Sequence, residues 1–400
     1  MKGARRARTY GAFLRVLRET ITVIMPNYDI THYRSLFPYL KSGMVYLDHA
    51  AVGPFPKPVS DVISDYVRQK SETNPNVFFD IVKVIVATKE RIGKLVNCQK
   101  ERIAFTDSTS NGLNILAAGL DWKSGERILL TDIEFPANVY PFLNQKRHGV
   151  EVDFVKNRNG RIHPEDVEKA ITPKTRLFSI SHVQFLQGFR SDLVALGDIC
   201  RRKGIIFCVD AIQSAGVVPI DVQSMKIDFL ASGCQKWLLA PEGTAFIYVS
   251  EATQEKIRQA HLGWTSIKDF FSDFFRYRLD IDPAARRYEN GTLNFAGILG
   301  AHASIGLLLE IGIANIHSHV ETLTQFAVDR LGDRRVDLLT PKEPLSRAGI
   351  VSFRPRNAQE LFEKFKAERI TVSLREGCIR MSPHFYNTKD EMEKAIDLVE

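Results

Sequence analysis

Short apolar runs alternate with amphipathic stretches through the middle of this chain. The apolar runs cover residues 127–131, 150–155, 175–181, 205–209, 229–231 and 244–249. Helical spacing of apolar residues covers several of the intervals, at residues 136–148, 163–171 and 191–203. Strands that alternate with helices in this way build an α/β fold, with a largely parallel sheet covered on both faces. Ligands bind such sheets at the carboxyl ends of the strands.

The pattern changes on both sides of this region. Upstream, we predict a brief strand at residues 45–47, helices within residues 58–96, and a strand at residues 102–106. Downstream, the predicted helices and strands lie at residues 296–312, 317–331, 349–353, 357–368, 370–374, 378–381 and 388–399. We therefore predict a large domain at residues 46–295 and a smaller α+β domain at residues 296–400. Residues 25–45 are predicted to pack on the small domain.

Composition and charge narrow the class of protein. The chain has 400 residues, of which 44% are hydrophobic and 25% charged, as is ordinary for a soluble globular protein with two domains. Its net charge is +7, but residues 1–24 contribute +5 of this through six basic side chains and one acid. The rest of the chain carries only +2, so we expect no nucleic-acid partner.

The termini and the cysteines favour a cytoplasmic protein. No apolar run is long enough to cross a membrane, so no membrane partner is expected. The five cysteines form no Cys-x-x-Cys pair, which favours reduced thiols packed as small apolar groups and predicts no metal site. Residues 1–24 are Arg-rich, as in a targeting segment, although a disordered extension is the simpler interpretation.

An acid and a lysine follow two of the predicted strands. Asp210 ends the run 205–209, and Lys236 follows the run 229–231 beside Trp237. A lysine acts as a nucleophile only when it is neutral, which requires burial or nearby positive charge. An acid about 3 Å from a pyridinium nitrogen would attract it by roughly 5 kcal/mol at an effective dielectric of about 20. Pyridoxal phosphate uses such a pair, although a solvated lysine and a strand-end acid are the simpler alternatives.

A hydroxyl-rich turn offers a place for a phosphate. Residues 107–111, Asp-Ser-Thr-Ser-Asn, lie between the strand at 102–106 and a helix. The free N–H groups of a helix start, its dipole and the hydroxyl groups all favour an anion. The same residue types also form ordinary helix caps, so this turn alone does not decide between the two.

Eight motifs occur in one order over about residues 44–390. They are LDHAAVG, FTDSTSNGLN, DIEFPAN, SHVQFLQG, VDAIQSAG, SGCQKWLLAPEGTAF, ENGTLN and IRMSPHFYNT. Together they resemble class V of the fold-type I enzymes that use pyridoxal 5′-phosphate. That group holds class V aminotransferases, cysteine desulfurases, selenocysteine lyases, kynureninases and isopenicillin N epimerase. The resemblance implies a three-layer transferase-like large domain and pyridoxal phosphate as cofactor.

The resemblance also implies roles for individual cofactor-binding residues. Lys236 matches the lysine that forms the Schiff base, Asp210 the partner of the pyridinium nitrogen, and Gln213 the contact to the ring hydroxyl. Phosphate contacts are matched by Thr109, Ser110 and Gln235. Thr292 matches a residue that reaches the phosphate from the neighbouring subunit, which implies a homodimer.

The substrate position is implied in the same way. Arg380 matches the arginine that binds a substrate α-carboxylate, and Arg375 is a weaker candidate. Residues that set side-chain specificity are expected in the loop after His49 and within 264–288. Those in the second region are Trp264, Phe270, Phe271, Phe274, Arg286 and Arg287.

Several positions depart from the cysteine desulfurases. Phe135 stands where they place a histidine over the cofactor ring, and it can stack there but cannot exchange protons. Phe185 replaces an asparagine. Arg375 and Arg380 lie too close in sequence for the mobile loop that carries the desulfurase cysteine, and Cys378 between them is predicted to be a core thiol. We therefore expect no desulfuration through a persulfide.

These features predict an enzyme with a small amino acid or amine as substrate. Lys236 would act as the base at the α-carbon. We expect an aminotransferase-like reaction, and the alternative is a lyase or epimerase, similar to isopenicillin N epimerase or to the selenocysteine and cysteine lyases. A third alternative is a protein with this fold that has lost catalysis, but such a protein would be expected to lose its lysine or its acid.

Overall fold

The structure is a computed structural model that describes residues 28–272 and 274–400. The prediction for residues 1–24 therefore lies outside the described residues. The described α-helices, α1 to α12, are Ile30–Ser35, Lys57–Glu72, Phe78–Val96, Thr109–Gly119, Tyr140–Leu143, Pro164–Ala170, Leu193–Lys203, Glu251–Gln254, Phe295–Ile311, Ile313–Gly332, Ala358–Ala367 and Lys389–Ile396. The described strands, β1 to β13, are Val45–Tyr46, Ile103–Thr106, Arg127–Thr131, Glu151–Val155, Thr175–Ser181, Ile206–Asp210, Phe229–Gly233, Ala245–Val249, Asp337–Leu338, Val351–Arg354, Ile370–Thr371, Ser373–Arg375 and Cys378–Met381.

A seven-stranded sheet forms the centre of the molecule. Its strand order is β2-β8-β7-β6-β5-β3-β4. Only β8 runs antiparallel to its neighbours, so the predicted mostly parallel sheet is confirmed. The register pairs Ser181 with Asp210 and Asp210 with Ala231. The carboxyl ends of β5, β6 and β7 therefore meet at one edge of the sheet.

Both faces of this sheet are buried. In β6, Phe207 and Val209 belong to one apolar cluster, whereas Ile206 and Cys208 belong to a second cluster. The alternation follows from the strand geometry, in which successive side chains point to opposite faces. Helices cover both faces, which gives the three-layer α/β arrangement expected from the sequence.

A second sheet follows in the C-terminal part. Its order is β12-β13-β10-β9, it is antiparallel, and its apolar cluster includes side chains from α10, α11 and α12. The N-terminal segment contacts this part of the chain, because Phe37 stacks on Tyr386 with ring centroids 3.7 Å apart. Tyr28 also donates a hydrogen bond to the carbonyl of Phe385 at 2.7 Å. The helix α9 lies beyond the predicted boundary at residue 295 but packs on α2 and α3.

Two predicted elements are wrong in their extent. The predicted helix at 136–148 is interrupted, since α5 is flanked by the 3₁₀ turns Pro136–Asn138 and Asn144–His148. Pro141 lies inside the predicted helix, where it has no N–H donor and its ring clashes with the carbonyl four residues earlier, so a continuous α-helix is strongly disfavoured there. The predicted strand at 370–374 is two strands, because β11 pairs with β1 and β12 pairs with β13.

The helices α9 and α10 are consecutive and apolar. Taken singly, no helix within residues 28–272 and 274–400 is long and apolar enough to cross a membrane. The two helices meet the length and composition criteria only as a pair, and the chain bends by 77° between them.

Candidate active site

Lys236 lies on the loop between β7 and β8, and this loop is held by backbone contacts. The carbonyl of Gln235 accepts a hydrogen bond from Gly53 N at 2.7 Å, and the carbonyl of Lys236 accepts one from Leu239 N at 3.1 Å. A Cβ atom on Gly53 would lie 2.3 Å from the Lys236 carbonyl oxygen. Only glycine therefore allows the loop that follows β1 to approach Lys236 this closely.

Trp237 anchors the same loop in the core. Its indole Nε1 donates to Gln213 Oε1 at 2.8 Å, and Gln213 Nε2 donates to the carbonyl of Ala50 at 3.0 Å. The carbonyl of Trp237 lies 2.9 Å from Nε2 of His384. Both amide atoms of Gln213 are therefore used within the chain, and its contact with the ring hydroxyl stays a prediction.

Asp210 ends β6 as a buried carboxylate. Its Oδ1 accepts a hydrogen bond from Ile212 N at 2.9 Å, and within the described chain no donor reaches Oδ2. Burial, together with the charge of Glu134, raises the pKa of Asp210 to about 7, although the hydrogen bond from Ile212 N and the charge of Lys236 oppose the shift. A pyridinium N–H would provide both a donor for the free oxygen and a positive charge. The acid therefore fits the ring nitrogen of pyridoxal phosphate.

The amine of Lys236 is easier to deprotonate than an exposed lysine. Burial, together with the positive charges of Arg380 and Arg375, lowers its pKa to about 8, although the charge of Asp210 opposes this shift. Lys236 Nζ lies 5.8 Å from the centroid of the Phe135 ring. The structure therefore brings Lys236, Asp210 and Phe135 into one site, and it gives the lysine an environment that favours the neutral amine.

Phe135 and Phe185 form the wall of this site. Their rings meet edge to face with centroids 5.2 Å apart. The carbonyl of Phe185 accepts a hydrogen bond from Arg380 Nη1 at 2.8 Å. Phe185 therefore connects the ring beside Lys236 to the arginine predicted to bind the substrate carboxylate.

Arg380 is buried and held by an acid that sequence reasoning missed. Its Nη2 lies 3.2 Å from Ser373 Oγ and 3.4 Å from Asp48 Oδ1, and Ser373 Oγ donates to Asp48. Its Nε is buried with no partner among the described residues. Asp48 is visible in the LDHAAVG motif, but nothing in the sequence indicates a partner 332 positions away. Arg375 is exposed, on the strand next to Arg380.

Two of the predicted phosphate residues, Thr109 and Ser110, lie at the start of α4, and the third, Gln235, lies on the lysine loop. Ser108 caps the helix by accepting a hydrogen bond from Asn111 N at 3.1 Å. Thr109 is buried and accepts a hydrogen bond from Gly233 N at 2.8 Å, which ties the helix start to the end of β7. Ser110 is exposed and Gln235 is half-buried. The turn is therefore both a helix cap and an anchor next to the Lys236 loop.

Glu134 is placed at a strand end by the sequence, but no role is assigned to it there. It is a buried carboxylate directly before Phe135, and donors surround it. These donors are Thr131 Oγ1, Asn138 Nδ2, Ser181 N, Ser181 Oγ and Gln184 Nε2. They hold the acid without a cationic partner, and they fix the turn that carries Phe135. Its position shortly after β3, where ligands of a parallel sheet bind, is the feature of the sequence that points to this residue.

Thr292 lies apart from Lys236 within one chain. It lines a cavity of about 460 Å³ together with Asp107 and Asn111, and neither Lys236 nor Asp210 lines it. Of the regions predicted to set specificity, the loop after His49 reaches the lysine loop through Gly53. Phe270 and Trp264, by contrast, lie on the same side as Thr292, because their rings pack with centroids 5.2 Å apart and they line a smaller cavity with Thr292. The structure therefore does not bring these residues to the lysine within a single chain.

Comparison with known proteins identifies the family of this chain. The family described as "Aminotransferase class-V" matches residues 45–394. The chain belongs to the class-V aminotransferase family. An uncharacterized aminotransferase of Bacillus subtilis, YcbU, is 32% identical over 91% of this chain and 96% of its own length. A probable cysteine desulfurase of Methanothermobacter thermautotrophicus is 29% identical over 87% of this chain and 92% of its own.

A solved structure shows the same fold. The apo cysteine desulfurase of Thermococcus onnurineus NA1 covers 94% of this chain and 98% of its own, with a TM-score of 0.84 and 24% identity. This class-V chain therefore has the fold of the transferases that use pyridoxal 5′-phosphate, and pyridoxal 5′-phosphate is its cofactor. It is a pyridoxal phosphate-dependent enzyme.

A tight hairpin lies where the sequence predicted no room for a cysteine-bearing loop. Only Glu376 and Gly377 separate β12 from β13, and both have left-handed φ angles, of 49° and 70°. Cys378 is buried in β13, with its Sγ 3.6 Å from Arg354 Nη2, and burial raises the pKa of its thiol. This class-V chain therefore presents no thiolate from the hairpin.

Proposed function

We propose that this chain is an aminotransferase acting on a small amino acid or amine. One observation carries the proposal: among the described residues, Asp210 is assigned to the ring nitrogen and Asp48 to Arg380, which leaves Lys236 as the group that can move a substrate proton. Phe135 and Phe185 have no exchangeable proton, and Arg380 is committed to Asp48 and a carbonyl. A transamination needs one base that removes a proton and returns it nearby, and a lysine suffices.

The residues present fit the cofactor. When bound, pyridoxal phosphate supplies an aldehyde to which amines are linked and a ring that accepts electrons from the substrate α-carbon. Thr109, Ser110 and Gln235 would hold the phosphate at the start of α4. Asp210 would hold a proton on the ring nitrogen, since its free oxygen lies in a buried setting.

Lys236 would remove the substrate α-proton, and Arg380 would bind the substrate carboxylate. The lowered pKa of Lys236, about 8, leaves more of the amine neutral and able to take the α-proton than an ordinary lysine would. The guanidinium of Arg380 would bind the substrate carboxylate and so orient the α-carbon toward Lys236. Asp48 and Ser373 hold the guanidinium in place before the substrate arrives.

The test is a product assay on the holoenzyme. The protein is mixed with each common amino acid, and the products are scored as keto acid, inverted amino acid or released sulfide. We expect keto acid in an amount that matches the cofactor when no second substrate is present. Lys236→Ala should abolish it, whereas Lys203→Ala, which removes an exposed lysine at the end of α7, should not. Full turnover by Lys236→Ala would contradict the role of this lysine.

A lyase is the second candidate, and the names of several related proteins support it. Several relatives that match over most of this chain are named probable cysteine desulfurases, which implies cleavage of a carbon–sulfur bond in those proteins. The short hairpin is an argument against the persulfide route here, but a thiolate leaving group needs no acid, so Lys236 alone would suffice for β-elimination. Sulfide released from cysteine, without amination of the cofactor, would replace the aminotransferase proposal with this one.

A further inference from the structure

A further cavity lies beside the carboxyl end of β5. It has a volume of about 580 Å³ and lies between the start of α7, the segment before α6 and the helix α10. His182, Arg190, Val194 and His317 line it, and none of the residues assigned to the cofactor does. Its chemistry is therefore separate from that of Lys236.

His182 is a buried polar side chain without a partner in this cavity. It follows the last residue of β5 and is 2% exposed. Among the described residues, neither ring nitrogen makes a hydrogen bond, and Nδ1 is sealed from solvent. Burial lowers the pKa of His182 to about 3, so the ring is neutral and has one N–H to donate. A buried donor of this kind favours a ligand that accepts its hydrogen bond.

Arg190 brings a positive charge to the same place. Its Nε and Nη2 donate to the carbonyl of Leu345 at 3.2 and 3.0 Å, and Nη1 lies 3.1 Å from His317 Nε2. Within residues 28–272 and 274–400, no carboxylate lies within 4.0 Å of this guanidinium. Arg161, the other arginine on the cavity, is paired with Glu343. Among the described residues Arg190 thus has no ion pair within 4.0 Å, and the carboxylates of Asp192 and Glu321 act on it only from a greater distance.

The start of α7 adds backbone donors. Asp192 caps this helix by accepting a hydrogen bond from Ala195 N at 3.0 Å, and Leu193 N donates to the carbonyl of Ser191 at 3.0 Å. In the described chain, Val194 N has no acceptor, and Val194 lines the cavity. A free N–H and the positive end of the helix dipole favour an anion.

We propose that this cavity binds a small oxyanion, a carboxylate or phosphate group on a molecule of metabolite size. Arg190 supplies the charge, and Val194 N and His182 supply hydrogen bonds. The apolar side chains of Phe189 and Val218 also line the cavity and would contact the body of the ligand. The proposal does not depend on which reaction Lys236 performs.

The test is calorimetric titration of the holoenzyme at constant ionic strength. The probes are succinate and inorganic phosphate, which distinguish the two sources of oxyanion, and succinamide as a neutral analogue. We expect at least one anion to bind and succinamide not to bind. Arg190→Gln should weaken the binding about tenfold or more, because the positive charge is lost. Arg190→Lys should weaken it less, because the charge remains and only the planar set of guanidinium N–H donors is lost.

A matched variant locates the binding site. Arg202→Gln removes the same charge from the exposed end of α7, so it should bind the anion as the wild type does. Retained binding in folded Arg190→Gln, or an equal loss of binding in Arg202→Gln, would overturn the proposal. It would also be overturned if neither anion binds or if succinamide binds equally well. Should Arg190→Gln fail to fold, Arg190→Lys is judged by the same comparison.

Discussion

Asp210 and Lys236 show at the scale of single residues how burial prepares chemistry. Both are removed from water, which disfavours the charged form of each and moves their pKa values toward one another, to about 7 and about 8. Their mutual attraction limits both shifts. The acid is therefore unstable as a lone carboxylate, and a positively charged ring nitrogen would stabilise it.

The first prediction concerns stability and pH in the cofactor-free protein. The pKa of Asp210 is about 7 when folded and about 4 when unfolded, so the folded state keeps a proton that the unfolded state releases. The free energy of unfolding should therefore fall as pH rises from about 4 to about 7. Asp210→Asn removes this ionisation, but it also removes the attraction to Lys236. We expect the free energy of unfolding of Asp210→Asn to exceed that of the wild type by about 1–3 kcal/mol at pH 8.

Urea denaturation of both cofactor-free proteins across this pH range provides the measurement. The two should be about equally stable below pH 4, where the carboxyl group is protonated in both states. Parallel pH profiles for wild type and variant would show that Asp210 does not carry the shift.

A second prediction concerns substrate binding by Arg380. Arg380→Lys keeps the positive charge but loses the planar fork that matches a carboxylate. We expect KM to rise about tenfold with a smaller change in kcat. Arg375→Lys is the control, and because Arg375 is exposed it should leave KM nearly unchanged. Equal effects of the two changes would contradict the assignment of the carboxylate to Arg380.

At the scale of elements, the lysine loop depends on a neighbour distant in sequence. The loop after β1 approaches so closely that the Gly53 backbone lies against the Lys236 carbonyl. Three strand ends, one helix start and this loop converge there. The site is therefore built by contacts between elements, and each element contributes only one or two side chains.

Gly53→Ala tests this close approach. The added methyl group has no room against the Lys236 carbonyl, so we expect a loss of about 1–3 kcal/mol in unfolding free energy and weaker cofactor binding. Gly332→Ala is the control, because a Cβ there meets nothing within 4 Å. Thermal denaturation and the cofactor absorbance measure both effects. Unchanged stability and absorbance in Gly53→Ala would mean that the loop moves freely.

Elements also show what the sequence predicts and what it does not. The strands β3, β5, β6 and β8 follow from their apolar runs, because burial on both faces leaves a direct pattern in the chain. The division of residues 370–374 between two sheets leaves no such pattern in the sequence. It depends on which strands β11 and β12 pair with, and these partners are distant in the chain. The Asp48–Arg380 pair was missed for the same reason, whereas motif order placed Lys236 and Asp210 correctly at the strand ends.

At the scale of the whole molecule, a single chain leaves the predicted site incomplete. Thr292 and the aromatic residues from 264 to 271 lie together but away from Lys236. A second copy of the chain that supplied Thr292 would complete the phosphate contacts. The homodimer therefore stays a prediction, and the structure favours contribution from a neighbour over contribution within the chain.

Mixing two inactive variants tests this prediction. Thr292→Glu places a negative charge against the phosphate, and Lys236→Ala removes the base. If Thr292 serves the neighbouring site, dissociating and reassembling equal amounts should restore about a quarter of wild-type activity, because half the dimers hold one intact site. The control mixes Lys236→Ala with Asp210→Asn, which belong to one site and should not complement. No recovery in the first mixture would place Thr292 within its own chain's site or outside the site.

The stack of Phe37 on Tyr386 limits how far the chain can be shortened from its N-terminal end in an engineered variant. The Tyr386 hydroxyl lies 2.6 Å from Nε2 of His49, and the His49 ring lies 6.1 Å from that of Trp237, next to Lys236. Phe37 is thus linked to the lysine loop through three aromatic side chains, Tyr386, His49 and Trp237. A shortened chain that starts after residue 43 would remove that link, so an expression design should retain Tyr28 and everything after it.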